Sequence, residues 1–232
     1  MRTHKTLLLL CPLALALSSC SSVSVYQDAK TLRKGDVQMG MGLGAGKFNN
    51  KTRIPGFDPD LPALSWDTWA RYGISDQEDA GIKLSLFGSV TADARHGLLN
   101  ERRGDPVSVA LGLTYVYTSA STNFSGHEDK TTIQDLMVPL YVSKDLDKWF
   151  TAYMVPRYAK RFIANSREYD SSATPSRIEY MTCDMFGMGG GIMFNLGRKQ
   201  GGHLALEFHK LFDLSDPSHY TQNGGVAFSF EF

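Results

Sequence analysis

Val107-Ser108-Val109-Ala110-Leu111-Gly112-Leu113-Thr114-Tyr115-Val116-Tyr117 decides the fold. Val107, Val109, Leu111, Leu113, Tyr115 and Tyr117 alternate with Ser108, Ala110, Gly112 and Thr114. A period of two belongs to a strand with one apolar and one small or polar face. The pattern continues toward the N-terminus. Val90, Ala92 and Ala94 oppose Thr91, Asp93 and Arg95, and Ala80, Ile82, Leu84 and Leu86 oppose Gly81, Lys83 and Ser85. Leu64, Trp66, Thr68, Ala70 and Tyr72 oppose Ser65, Asp67, Trp69 and Arg71, and Val37, Met39, Met41 and Leu43 oppose Gln38, Gly40, Gly42 and Gly44. Toward the C-terminus, Leu136, Val138, Leu140 and Val142 oppose Asp135, Pro139 and Ser143. Phe186, Met188, Ile192 and Phe194 follow, then Leu204, Leu206 and Phe208, and finally Val226, Phe228, Phe230 and Phe232. Residues 149–162 read as a strand whose faces the pattern does not assign.

Two architectures carry such strands: a soluble β-sandwich, and a transmembrane barrel whose apolar face meets lipid while its polar face lines a lumen. The apparent strands run to roughly 9–12 residues, which suits a tilted membrane strand better than the about 5–6 usual in globular proteins. Short connections (74–79, 99–105, 144–148, 197–202) alternate with long ones (47–63, 118–131, 163–178, 213–219), and one tight turn, Phe87-Gly88-Ser89, falls on the long side. Outer-membrane barrels show this asymmetry. Ten strands are expected, near 35–46, 64–74, 79–88, 89–98, 106–117, 132–143, 149–162, 179–195, 203–212 and 220–232. No stretch after Leu17 approaches the roughly 20 apolar residues of a membrane helix.

Both chain ends carry motifs. Met1-Arg2-Thr3-His4-Lys5 is a basic start, and Leu7 through Leu17 is an apolar run too short to span a bilayer but suited to a secretory signal. Leu17-Ser18-Ser19-Cys20 resembles the lipobox of bacterial lipoproteins. The resemblance implies cleavage after residue 19 and acylation of Cys20, with Ser21 implying sorting to the outer membrane. Phe228-Ser229-Phe230-Glu231-Phe232 resembles the C-terminal assembly signal of bacterial outer-membrane proteins. Lipoprotein-sorting and barrel-assembly machinery are the partners these resemblances imply. The expected fold is all-β: a single antiparallel up-and-down transmembrane β-barrel of about ten strands, with a soluble β-sandwich lipoprotein as the alternative. Residues 1–19 are then the signal peptide, 20–34 a lipidated periplasmic tether and 35–232 the barrel. Tyr26-Gln27-Asp28-Ala29-Lys30 stands as an alternative short plug. An even strand count returns both ends to the periplasmic side, where Cys20 would enter the inner leaflet.

Without Arg2 and Lys5, 22 basic residues face 24 acidic ones, a net charge of −2. No basic run is present, which argues against nucleic acid as a partner. Once Cys11 and Cys20 are accounted for, only Cys183 remains, so no intrachain disulfide is expected. On the polar face, pairing through the tight turns sets Arg71 opposite Lys83 and Lys83 opposite Arg95. Like charges so opposed need acids nearby, and Asp67, Asp93, Asp135 and Glu207 are the candidates. An ionic network filling the lumen is expected; a constriction selecting small anionic solutes is the alternative. His203, Glu207 and His209 share one strand face, yet no spacing supplies another metal ligand. No cofactor or metal site is expected. His219-Tyr220-Thr221-Gln222-Asn223-Gly224 faintly resembles a motif of outer-membrane phospholipases, but Tyr220 stands in place of the base and Gln222 in place of the nucleophile. The functional expectation is a structural or surface-contact role without catalysis, with a narrow channel and an envelope hydrolase as alternatives.

Overall fold

The computed structural model describes residues 24–49, 63–86, 88–124, 127–169, 177–196 and 201–232. Residues 1–19, expected to be a signal peptide, Cys20 and most of the 47–63 connection lie outside the described residues. Ten strands follow in order: β1 (Val37–Asn49), β2 (Ala63–Gly73), β3 (Glu78–Ser85), β4 (Ser89–Leu99), β5 (Ser108–Phe124), β6 (His127–Asp147), β7 (Phe150–Tyr169), β8 (Arg177–Asn195), β9 (Gly202–Asp213) and β10 (Tyr220–Glu231). Each pairs antiparallel with its chain neighbours, and β1 closes on β10 through Gln38↔Glu231 to Asn49↔Tyr220. The chain is a closed barrel, not two stacked sheets.

Alternation translates directly into inside and outside. Met39, Met41, Leu43, Leu64, Trp66, Ile82, Leu84, Leu111, Leu113, Phe186, Leu206 and Phe208 all face outward and lie open. A continuous apolar surface of this extent is untenable in water and natural in lipid. On β7, where the pattern assigned no face, Thr151, Tyr153, Val155, Arg157, Ala159, Arg161 and Ile163 point inward and Met154, Tyr158 and Phe162 outward. Both faces of β7 mix apolar and polar residues, so a period-two reading has no contrast to work with.

On the outward face of β7 the first charge above Phe150 is Lys160, which with Tyr158 meets Asp184 of β8, and Phe162 follows one pleat beyond. These ten residues of rise amount to about 33 Å along the strand, or about 25 Å along the axis at a tilt near 40°. That matches the apolar band of an outer-membrane barrel. Strands β5 to β8 continue beyond it. The expected long connections 118–131 and 163–178 are largely strand, paired from Thr118↔Ile133 to Phe124↔His127 and from Phe162↔Thr182 to Arg167↔Arg177. Their polar composition reads as loop, but backbone pairing holds them as two hairpin arms, joined to each other through His127↔Tyr169 to Gln134↔Phe162. From Lys160 to Tyr169, β7 rises about a further 23 Å.

The segment expected as a tether takes a different course. Residues 24–34 run inside the barrel, with Tyr26, Ala29 and Leu32 buried. At the inner end, Gly35 N–H donates to the Gly73 carbonyl before β1 begins. Over 24–34 this course is that of the alternative plug, because those residues offer apolar side chains and backbone groups that the lumen wall is built to bind.

Candidate functional site

The interior of the barrel is the site, and the segment 24–34 is its central occupant. Lys83 Nζ donates to the Ser24 carbonyl at 2.7 Å. The N–H groups of Val25 and Tyr26 donate to the two Glu207 carboxylate oxygens at 2.7 and 2.6 Å. Tyr26 holds φ +53°, in the left-handed region, which turns two consecutive N–H groups toward one anion. Further down, Ala29 N–H donates to Ser143 Oγ at 3.2 Å, Lys30 Nζ meets Asp145, and Leu32 N–H donates to Asp79 Oδ2 at 3.0 Å. From Ser24 downward, the segment therefore touches β3, β9, β6 and then β3 again.

The Tyr26 ring lies stacked on Trp69, centroids 5.5 Å apart, against bare backbone on the far side. A Cβ on Gly42 would stand 2.8 Å from the Tyr26 ring, and one on Gly225 2.3 Å from its hydroxyl. The glycines of β1 and β10 thus provide the space that an aromatic side chain fills.

Around this core the charges pair. Asp79 receives Arg95 in a two-pronged contact, Nε to Oδ1 at 2.9 Å and Nη2 to Oδ2 at 2.7 Å, while Arg71 bridges Asp79 and Asp93. Arg95 also donates to the carbonyls of Asp28 and Lys30 and lies over the Tyr141 ring. Lys83 stands 3.9 Å from Asp67, whose other oxygen accepts from Ser85 at 2.5 Å. Glu207 also accepts from Tyr153 at 2.9 Å and lies 2.6 Å from His209 Nε2, and His209 Nδ1 meets Arg157. Nearer the outer end, Arg161 grips Asp135 through two bonds of 2.7 Å. Among the described residues, the buried cations Arg71, Lys83, Arg95, Arg157 and Arg161 thus share the interior with the carboxylates of Asp67, Asp79, Asp93, Asp135, Glu207 and Asp213. Above the polar tier, Val116, Met137, Ala159, Met185 and Leu211 form an apolar cluster inside the barrel.

Every lumen residue named from the sequence points inward, but the row of three opposed cations is not formed. Arg71 pairs with Gly81, Lys83 with Trp69 and Thr91, and Arg95 with Asp79. The ladder places Ile74 to Gln77 in the turn and Asp79 in the strand, with the register shifted by two residues between β2 and β3 and by four between β3 and β4, which puts a carboxylate between Arg71 and Arg95. The pattern missed Asp79, which looked like part of the turn, and Arg157, Arg161 and Tyr153 on the unassigned strand. An inward-pointing Asp one residue from a turn between two Arg-bearing strands was the available signal. His203 is separated from Glu207 and bonds Asn195 instead. His219 lies in the outer turn near Asp216. Among the described residues, no group of three His, Cys, Asp or Glu side chains is placed to hold a metal.

No protein-family model and no curated protein matches the chain. Solved structures do. The outer membrane protease OmpT of Escherichia coli is 8% identical, with 88% of this chain and 100% of that one covered and a TM-score of 0.52. Neisserial surface protein A is 8% identical over 85% and 96%, with a TM-score of 0.42. The attachment invasion locus protein of Yersinia pestis is 10% identical over 86% and 99%, with a TM-score of 0.40. At such identities the likeness concerns the fold alone: the chain has the closed antiparallel barrel of bacterial outer-membrane proteins.

Proposed function

We propose that this chain is a lipid-anchored barrel of the bacterial outer membrane, without a through-pore or a catalytic centre, that works through contacts made by the arms β5–β6 and β7–β8 outside the membrane. The observation that carries the reading is the filled interior. Residues 24–34 and most of the paired charges occupy its inner part, the apolar cluster around Met137 and Leu211 lies above them, and the Arg161–Asp135 pair lies beyond that cluster toward the outer end. Conduction needs a continuous polar path, and a ten-stranded barrel has little width beyond what its side chains fill. Hydrolysis needs a free acid–base pair, but Glu207, beside His209, is engaged with the backbone of Val25 and Tyr26. What extends freely is the pair of arms, about 23 Å beyond the apolar band.

The test is attachment. Cells displaying the full chain are compared with cells in which 119–131 and 165–178 are each replaced by a tight turn, on abiotic surfaces, matrix proteins and neighbouring bacteria. The shortened barrel, checked by heat-modifiable migration, is expected to lose attachment. Equal attachment would overturn the reading, as would discrete conductance of the purified full chain in planar bilayers.

A further inference from the structure

We propose that the outer ends of β9, β10 and β1 hold a phosphate of a phosphorylated, acylated sugar lipid of the outer leaflet, with Lys47 and Lys210 on either side of it and Gln222 between them. The site is separate from the arms, since none of these residues lies on β5 to β8.

On these three strands the lipid-facing side changes from apolar to polar at one level. The outward run of β1 ends at Ala45 and Lys47 follows; that of β9 ends at Phe208 and Lys210 follows. On β10, read from its inner end, Val226 and Gly224 give way to Gln222. Ladder pairing puts Lys47 beside Gln222 and Gln222 beside Lys210. The three side chains thus form one row across adjacent strands, and the two lysine backbones stand two strand spacings apart, about 10 Å. Lys210 lies eight residues above Gly202 and Lys47 ten above Val37. Those rises are about 20 and 25 Å along the axis, which is the outer limit of the apolar band.

Charge sets this sector apart from its neighbour. At the same limit on β7 and β8, Lys160 is matched by Asp184 at 3.2 Å. Lys210 lies instead over two rings, 4.9 Å from the Phe212 centroid and 4.2 Å from that of Tyr220. Among the described residues, no carboxylate stands within ion-pair distance of it. The rings hold the ammonium in place without supplying a counter-charge. Snorkelling accounts for a single lysine that reaches an interface, but not for two in register on either side of an amide. A phosphate suits that arrangement, because its oxygens accept from both ammonium groups and from the Gln222 amide at once.

The surface below the row points to a lipid as the bearer of the phosphate. Met41, Leu43, Leu206 and Phe208 lie open beneath it, so acyl chains have an apolar wall to follow while the headgroup meets the lysines. A free phosphate lacks that second contact. The level of the row assigns the headgroup to the outer leaflet, whose phosphate-bearing lipid in a bacterial outer membrane is a glycolipid.

The test titrates the purified full-length barrel in detergent micelles with a bis-phosphorylated, acylated glucosamine disaccharide and counts retained lipid by native mass spectrometry. The same glycolipid after phosphatase treatment, phosphatidylglycerol and inorganic phosphate are the comparison probes. Retention of the phosphorylated glycolipid is expected to be about fivefold weaker in Lys47→Gln or Lys210→Gln and about 25-fold weaker in the double variant. Lys47→Arg, Lys210→Arg and Lys160→Gln are expected to bind as the unaltered chain does, and heat-modifiable migration shows that each variant is folded. Undiminished retention by the folded double variant overturns the proposal, as does an equal loss in Lys160→Gln or equal retention of the phosphatase-treated glycolipid. Equal retention of phosphatidylglycerol overturns the sugar lipid as the ligand, and displacement by inorganic phosphate at equal concentration overturns a lipid of any kind.

Discussion

Asp79 is the residue on which the inner tier depends. It neutralises Arg71 and Arg95 together and accepts the Leu32 N–H, so its carboxylate joins three strands and the internal segment. Asp79→Asn keeps the shape and removes the charge, leaving two buried guanidinium groups short of a partner. Loss of one partner of a buried pair costs about 3–5 kcal/mol. Denaturant titration of the barrel refolded into vesicles is expected to show a loss of that size, and a loss below the scatter of surface substitutions would contradict the assigned role. Gly225→Val tests the other kind of fit. Its side chain enters the space of the Tyr26 hydroxyl, and overpacking of this kind costs about 1–3 kcal/mol. Combining it with Tyr26→Ala should relieve the part due to the Tyr26 hydroxyl and leave the part due to the Leu43 carbonyl, 2.6 Å from the added Cβ, which the same titration measures.

At the scale of elements, the segment 24–34 behaves as an eleventh element of the barrel. Its backbone polar groups have no sheet to join, and the wall supplies Glu207, Ser143, Asp79, Lys83 and Arg95 to satisfy them. A hydrogen bond to a charged group contributes about 1.5–3 kcal/mol, so Glu207→Gln, which weakens two of them, should destabilise the barrel by a similar amount. Hydrogen exchange at Val25 and Tyr26 should accelerate in that variant while exchange in β5 to β8 stays unchanged. Equal acceleration everywhere would mean that the segment has no local anchoring of its own. The strands themselves were legible from alternation because the lipid-facing side is uniformly apolar. The two arms were not, because polar residues beyond the membrane carry no period although their backbones pair as fully as those below.

For the whole molecule, the outward surface is the solvent-facing one, and its solvent is hydrocarbon. Met41 lies on that surface four residues above the inner end of β1. Met41→Arg is expected to cost about 2–4 kcal/mol in vesicles, the penalty of a cation near the midplane, and little in detergent micelles that can hydrate it. A cost equal in both would argue that this face does not meet lipid. The folded chain should also migrate faster in gels before heating than after, as closed barrels do when their strands stay paired in detergent. The arms project from one sector of the rim, which gives the molecule a tall side and, at β3–β4, a low one.

The sequence alone determined the all-β class, about ten strands, the inward set Asp67, Arg71, Lys83, Asp93, Arg95, Asp135 and Glu207, and the expectation of a paired ionic interior, while closure of β1 on β10 decided for the barrel over the sandwich. These follow from period two and from the cost of a buried charge without a partner, both local in origin. Tertiary structure decided the register that inserts Asp79 between Arg71 and Arg95, the inward face of β7, and the entry of residues 24–34 into the lumen. Each depends on which strand lies beside which, and on the space that glycines of β1 and β10 leave for Tyr26. Such information resides in contacts between residues far apart in the chain, where no period along the sequence can record it.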